Sequence, residues 1–330
     1  MLARKICGTA FLFLVRFLEN TDMSYLFTVI GFILGSVLGS FVKALADRSL
    51  TRKSFWGRSY CLMCKKKLQW YDLIPIFSYL FLKGKCRYCK KNIGTEYLVV
   101  EVVLGFLIAF LFWQTFLGFQ FSLTELSVSY EERFRFSIFL WNLFYKTFFI
   151  VVLAILFLTD IKKMLIPDRI IIPSIIIGIT CLVIVTIYKV SYLYYLLSQS
   201  SFGRKLLPPH SDYFQRHAFL SVEPLIYGIA AGFLIGLFFT GLIIITRGKG
   251  MGGGDVKLGA FMGIILGFPQ ALLALMLAFF TGAIFSLFLI ILGKKSFGQS
   301  IPFGPFLVLG SLTALFWGDQ ILDWYLHLGR

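Results

Sequence analysis

The run Phe148-Phe149-Ile150-Val151-Val152-Leu153-Ala154-Ile155-Leu156-Phe157-Leu158-Thr159-Asp160 decides what kind of molecule this chain forms. It is uncharged and almost wholly apolar until it stops on a carboxylate. Similar stretches cover about 24–46, 97–118, 138–159, 169–188, 224–246, 272–293 and 303–322. Each is long enough to cross a hydrocarbon core of roughly 30 Å. An eighth piece, 255–267, is short and glycine-rich, ends at Gly267-Phe268-Pro269, and reads as a compact or tilted span turning sharply into 272–293. With 58% hydrophobic residues, 15% charged residues and a mean hydropathy of +0.83, an ordinary soluble domain is excluded. The expected fold is an all-α polytopic membrane protein of about eight transmembrane helices.

The net charge of +16 is unevenly placed. Twelve Lys/Arg fall between Arg48 and Lys91, and smaller clusters sit at Lys162-Lys163, Arg247 to Lys249 and Lys294-Lys295. The segments 119–137 and 189–222 are less basic, and the first carries Glu125, Glu131 and Glu132. Basic loops stay in the cytoplasm. Alternation then gives eight spans, both termini outside, and Asp160, Asp168 and Asp255 together on the cytoplasmic side. The same charge favours anionic lipid heads. No nucleic-acid partner is expected, because no basic stripe is interleaved with a reading motif. Residues 1–22 are either an amphipathic surface extension or precede a true start at Met23. The segment 189–222, with Pro208-Pro209-His210, reads as an outer insertion, and 323–330 as a C-terminal tail.

Only the loop 47–96 has soluble-domain character. Cys61-Leu62-Met63-Cys64 and Cys86-Arg87-Tyr88-Cys89 form two CxxC pairs separated by 21 residues, the spacing of a structural four-thiolate zinc site. Metal binding would supply folding energy that so short a loop cannot gather from apolar burial. Two disulfides or a redox CxxC are the alternatives, and a disulfide is disfavoured where thiols remain reduced. Cys7 and Cys181 lie in apolar surroundings and read as inert thiols.

The chemistry rests on aspartates. Asp255 follows glycines in Met251-Gly252-Gly253-Gly254-Asp255-Val256-Lys257-Leu258, at the mouth of an apolar segment where a carboxylate is costly. Glycine permits close backbone approach and φ > 0. Asp160 ends a span, where the helix dipole disfavours it. Two carboxylates sharing one proton can activate water and polarise a carbonyl, which is aspartic-protease chemistry. The histidines His210, His217 and His327 lie away from that face. Asp168, after Pro167, reads as a helix cap as readily as a third catalytic candidate, and Asp255 could cap 256–267.

These residues together resemble the bacterial type IV prepilin peptidases, within the Gly-x-Gly-Asp membrane aspartyl proteases. The resemblance spans nearly the whole chain from Met23. It rests on Gly39-Ser40-Phe41 with Arg48, the paired knuckles, Asp72 to Leu80 running on to Cys86, Glu101, Asp160 to Asp168, Gly252 to Leu258, and Ile301-Pro302-Phe303-Gly304-Pro305-Phe306. It implies cleavage of the basic leader of prepilins or pseudopilins after a glycine and before a phenylalanine. Methylation of the new amine with S-adenosylmethionine would follow. It also implies partners in pilus or type II secretion assembly. Asp160 and Asp255 become the catalytic pair, with Gly252, Gly254 and Lys257 supporting. The chain departs from the pattern at Lys43, where asparagine is usual, at Met63, where proline is usual, and at Glu96 and Leu98, which replace arginine and proline. No nucleotide fingerprint marks a cofactor site, so Asp72 and Glu101 are candidates only as acidic groups in basic surroundings. A transporter using Asp160 and Asp255 as a proton or ion relay is the rival class, although no internal repeat pairs the two halves.

Overall fold

The computed structural model describes residues 23–51, 54–55, 57–61, 63–117, 130–209, 211–248, 251–293 and 302–327. The extension 1–22 with Cys7, as well as Glu125, His210, Lys249, Lys294-Lys295 and Ile301, lie outside the described residues. The helices are α1 (Met23–Leu50), α2 (Phe77–Phe81), α3 (Glu96–Leu117), α4 (Tyr130–Lys163), α5 (Asp168–Ser198), α6 (Ser201–Arg204), α7 (Tyr213–Ile245), α8 (Gly253–Leu266), α9 (Gln270–Ile291) and α10 (Gly304–His327). Seven of them are long and apolar enough to cross a membrane. The eighth apolar piece is α8, whose 14 residues give about 21 Å of helix. It ends at Gly267 with φ +68°, where the chain turns into α9.

The chain divides into two compact units, one of 1–45 and 54–128, the other of 46–53 and 129–330. In the first, α1 carries Gly31, Gly35 and Gly39 at every fourth position, and small residues of this kind let membrane helices approach closely. A Cβ on Gly31 would lie 2.8 Å from Phe112, one on Gly35 2.9 Å from the Gly105 Cα, and one on Gly39 2.7 Å from the Glu101 Cα. Glycine here is a packing requirement. In the second unit the same device joins α7 to α8. Gly228 and Gly232 meet Ile264 and Ala260, and a Cβ on Gly263 would lie 2.6 Å from Gly232.

Several helices run past the expected spans. The 34 residues of α4 reach about 51 Å, well beyond the hydrocarbon core. Glu131 and Glu132 in its first turn and Lys162 and Lys163 in its last complement the helix dipole. Segments 119–137 and 189–222, expected as outer loops, are therefore partly helical: α4 starts at Tyr130, α5 continues to Ser198 and α7 starts at Tyr213. Aromatic stacking holds these extensions together, with Phe134 on Tyr192 at 3.6 Å between ring centres and Tyr194 edge-on to Phe214 at 6.0 Å. The last helix likewise runs on to His327, into the expected tail. Cys181 is buried in α5 as a free thiol, and His217 stacks on Tyr213.

Candidate active site

Asp160 lies in the last turn of α4 and is 6% exposed. Its backbone carbonyl accepts the Met164 N–H at 2.7 Å, and Met164, at φ +49°, turns the chain out of the helix. Lys162 pairs with Asp47 at 3.1 Å and the Lys163 ammonium reaches the Leu50 carbonyl, which anchors the end of α4. The dipole of α4 opposes a carboxylate here, but α10 offsets it. The first N–H groups of a helix have no partner within it, and the backbone of Gly304, the first residue of α10, lies against the Asp160 carboxyl and favours its charged form. Oδ2 of Asp160 is buried and has no hydrogen-bond partner among the described residues.

Gly304 is the site residue whose role the sequence did not reveal. A Cβ there would collide with the Asp160 carboxyl. Phe303 fixes its position by packing on Phe279 at 5.0 Å and Phe239 at 6.2 Å, and Phe239 in turn fills the space beside Gly259 of α8. The available signal was Pro302-Phe303-Gly304-Pro305, because a proline just inside a helix start and a glycine before it mark an N-terminus of close approach.

Asp255 lies in the first turn of α8, half-buried. Gly252 is the N-cap of α8, and its backbone favours the charged form of the Asp255 carboxyl three residues on. The Asp160 carboxyl lies within electrostatic reach of Asp255. None of Gly252, Gly253 or Gly254 adopts positive φ, which corrects that part of the expectation. Gly254 meets the close-approach part, since a Cβ on it would lie 3.2 Å from Ile166. Around Gly252 and Gly253 there is open space.

Asp168 is not the cap expected. Pro167 occupies the N-cap of α5, Asp168 follows it without a capping bond, and its carboxylate pairs with Lys257 at 2.5 Å. Lys257 thus supports Asp168, and through it the docking of α8 beside residues 164–167. Both side chains are substantially exposed, at 58% and 40%, so the pair contributes about 1 kcal/mol or less. Asp168→Ala should leave peptide cleavage within about threefold of wild type and the thermal midpoint nearly unchanged. Loss of cleavage as complete as that of Asp160→Ala would place Asp168 in the reaction instead.

The first unit holds a separate centre. Sγ atoms of Cys61, Cys64, Cys86 and Cys89 all lie within 4.8 Å of one another. Two turns of matching geometry build it: the Lys65 N–H meets the Cys61 carbonyl at 2.9 Å with Lys65 at φ +56°, and the Lys90 N–H meets the Cys86 carbonyl at 2.9 Å with Lys90 at φ +53°. The Cys61 and Cys89 sulfurs are 3.9 Å apart, close to the ~3.8 Å edge of a tetrahedron with ~2.3 Å zinc–sulfur bonds. The described cysteines are all free. Burial pushes the Cys61 thiol up, but the N–H groups of Cys64 and Met63 and neighbouring thiols outweigh it and lower it to about 7. The Lys91 N–H lowers the Cys89 thiol, but burial and the hydrogen bonds it donates to the other three sulfurs raise it to about 11.

Asp72 and Glu101, also in this unit, each hold a neighbouring group. Asp72 pairs with Arg87 of the second knuckle at 2.8 Å and accepts the Gln69 N–H at 3.2 Å. Glu101, 7% exposed, accepts the Ile76 N–H at 2.8 Å and thereby holds a β-branched residue at φ +61°. Two departures from the family pattern meet each other: the Lys43 ammonium, its side chain 2% exposed, pairs with Glu96 at 2.8 Å and lies over the Tyr97 ring.

Comparison with known proteins agrees with both units. Residues 33–115 match the model of the bacterial peptidase A24 N-terminal domain, and residues 212–287 that of the type IV leader peptidase family. A prepilin leader peptidase/N-methyltransferase of Bacillus subtilis is 31% identical over 90% of this chain and 97% of its own length. Proteins of the same name from Stutzerimonas stutzeri and Legionella pneumophila are 26% and 27% identical, covering 96% and 82% of this chain and 99% and 76% of their own lengths. No solved structure matches the chain. The chain belongs to the type IV leader peptidase family.

Proposed function

We propose that this protein is a membrane aspartyl endopeptidase that removes the basic leader of type IV prepilins or pseudopilins after a glycine, and methylates the amine so exposed. The observation that carries the peptidase reading is that the carboxyls of Asp160 and Asp255 lie within electrostatic reach of each other, each beside the backbone of a glycine at a helix start, in a chain whose relatives bear the name prepilin leader peptidase/N-methyltransferase. One carboxylate takes a proton from water while the other, protonated, polarises the scissile carbonyl. The water oxygen adds to that carbon, the C–N bond breaks, and the amine leaves with a proton from the acid. The open space at Gly252 and Gly253 accommodates an extended substrate strand. Both acids lie at helix ends, which favours hydrolysis at an interface over an ion relay at the midplane.

The basic loops favour a site at the cytoplasmic face of the inner membrane, where a prepilin leader waits with its apolar helix in the bilayer. Cys61, Cys64, Cys86 and Cys89 fit a structural zinc ion, which would fold the loop and carry no chemistry. S-adenosylmethionine supplies the methyl group when bound. Asp72 and Glu101 do not fit as its ligands, because their carboxylates hold Arg87 and the Ile76 turn, and no step is assigned through it. The mature pilin would pass to pilus or type II secretion assembly.

The test is incubation of purified protein in detergent with a prepilin carrying a Gly-Phe junction, followed by mass analysis. The expected product begins at the phenylalanine, and a junction glycine replaced by valine should not be cut. Cleavage at another bond, or none with a folded enzyme and an inserted substrate, refutes the assignment.

A further inference from the structure

We propose that the segment from Trp70 to Phe81 is a lipid-docking surface, which lays the cysteine loop on the headgroup–acyl boundary of an anionic bilayer. Two observations fix its height and its face. Glu101 is five residues into α3, about 8 Å along a membrane-crossing helix, and its carboxylate binds the Ile76 N–H directly. The short helix that follows Ile76 therefore lies beside the first two turns of a span. Within α2, Phe77, Leu80 and Phe81 occupy positions i, i+3 and i+4 and form one face, and they are 63%, 59% and 84% exposed. Trp70, in the turn before α2, is 76% exposed. On the inner side Tyr79 approaches the Ile93 carbonyl at 3.5 Å and packs against Gly84, so α2 is amphipathic over a single turn.

Charge selects the occupant. Between Arg48 and Thr95 the one acidic residue is Asp72, and it is paired with Arg87. Lys67, three residues before Trp70, and Lys83 and Lys85, just after α2, are exposed. An exposed aromatic face flanked along the chain by exposed lysines, beside the first turns of a span, matches an interfacial segment on anionic lipid. This inference is independent of the catalytic pair.

The test uses the full-length protein in nanodiscs made of equal parts phosphatidylcholine and phosphatidylglycerol, with bromine on the upper acyl chain. The fluorescence attributable to Trp70 is the difference between wild type and Trp70→Phe, with zinc content measured to show that the loop is intact. The expected result is that bromolipid quenches this difference by about half or more and that aqueous iodide does not. Replacing phosphatidylglycerol with phosphatidylcholine should weaken the quenching, and Phe77→Ser with Phe81→Ser should abolish it at unchanged zinc content. Quenching by iodide and not by bromolipid would show a water-facing surface. Quenching by neither would show a surface covered by protein, either the peptidase unit or a second copy. Both results overturn the proposal, as does quenching indifferent to lipid charge.

Discussion

Asp160→Asn and Asp255→Asn are each expected to reduce prepilin cleavage on the order of 10⁴-fold or more, the scale seen when one member of a cooperating catalytic set is removed. Asparagine keeps the size of the side chain but can neither take up a proton from water nor share one with its neighbour. Gly304→Ala should reproduce part of this loss without replacing either carboxylate. Its methyl group would displace the Asp160 carboxyl, and a misplacement of about 1 Å costs roughly 10²-fold. The deficit should appear in kcat with KM little changed, because Gly304 touches the acid and not the bound leader. Single-turnover cleavage with thermal unfolding as a control separates the outcomes. A folded Asp160→Asn or Asp255→Asn enzyme that still cuts removes the dyad. A Gly304→Ala enzyme of normal kcat leaves the dyad standing but removes the positioning role.

Removing the metal should have the other large effect, on folding and not on the dyad. Structural zinc contributes on the order of 10 kcal/mol or more to small four-thiolate sites near neutral pH. The first unit has little else inside its loop: neither the turn at Trp70–Leu73 nor α2 contains a buried residue. Cys86→Ser, or chelation of the wild type, should abolish zinc binding and open residues 54–95 to proteolysis, while the helices of the second unit stay protected. Acid should act in the same direction, since protonated thiols do not hold zinc. A loop that stays protease-resistant after verified loss of metal would refute a metal-dependent fold.

Apolar length and charge spacing are local properties, so the membrane class, the spans and the four-cysteine cluster were legible from the sequence. Asp160 and Asp255 were marked there as well, since a carboxylate at the end of an apolar run is costly wherever the helices go. Helix ends beyond the bilayer were not legible, because stacking such as Phe134 on Tyr192 joins residues far apart in the chain. Asp168 illustrates the same limit. Its position after Pro167 suits a cap, yet Lys257, 89 residues away, takes its carboxylate.

The sequence by itself determined a helical membrane protein with a thiolate knuckle pair and two costly aspartates, because each of those follows from residue type and short-range spacing. Only the tertiary structure decided how those aspartates are held. The N-terminus of α10 lies against an acid stranded at the C-terminus of α4, and Gly304 leaves the room for it. It likewise decided that Lys43 answers Glu96 and that Glu101 ties the aromatic turn to a span. Such pairings depend on which helix ends meet in space, and that is set by the packing of distant glycines and phenylalanines rather than by any local pattern.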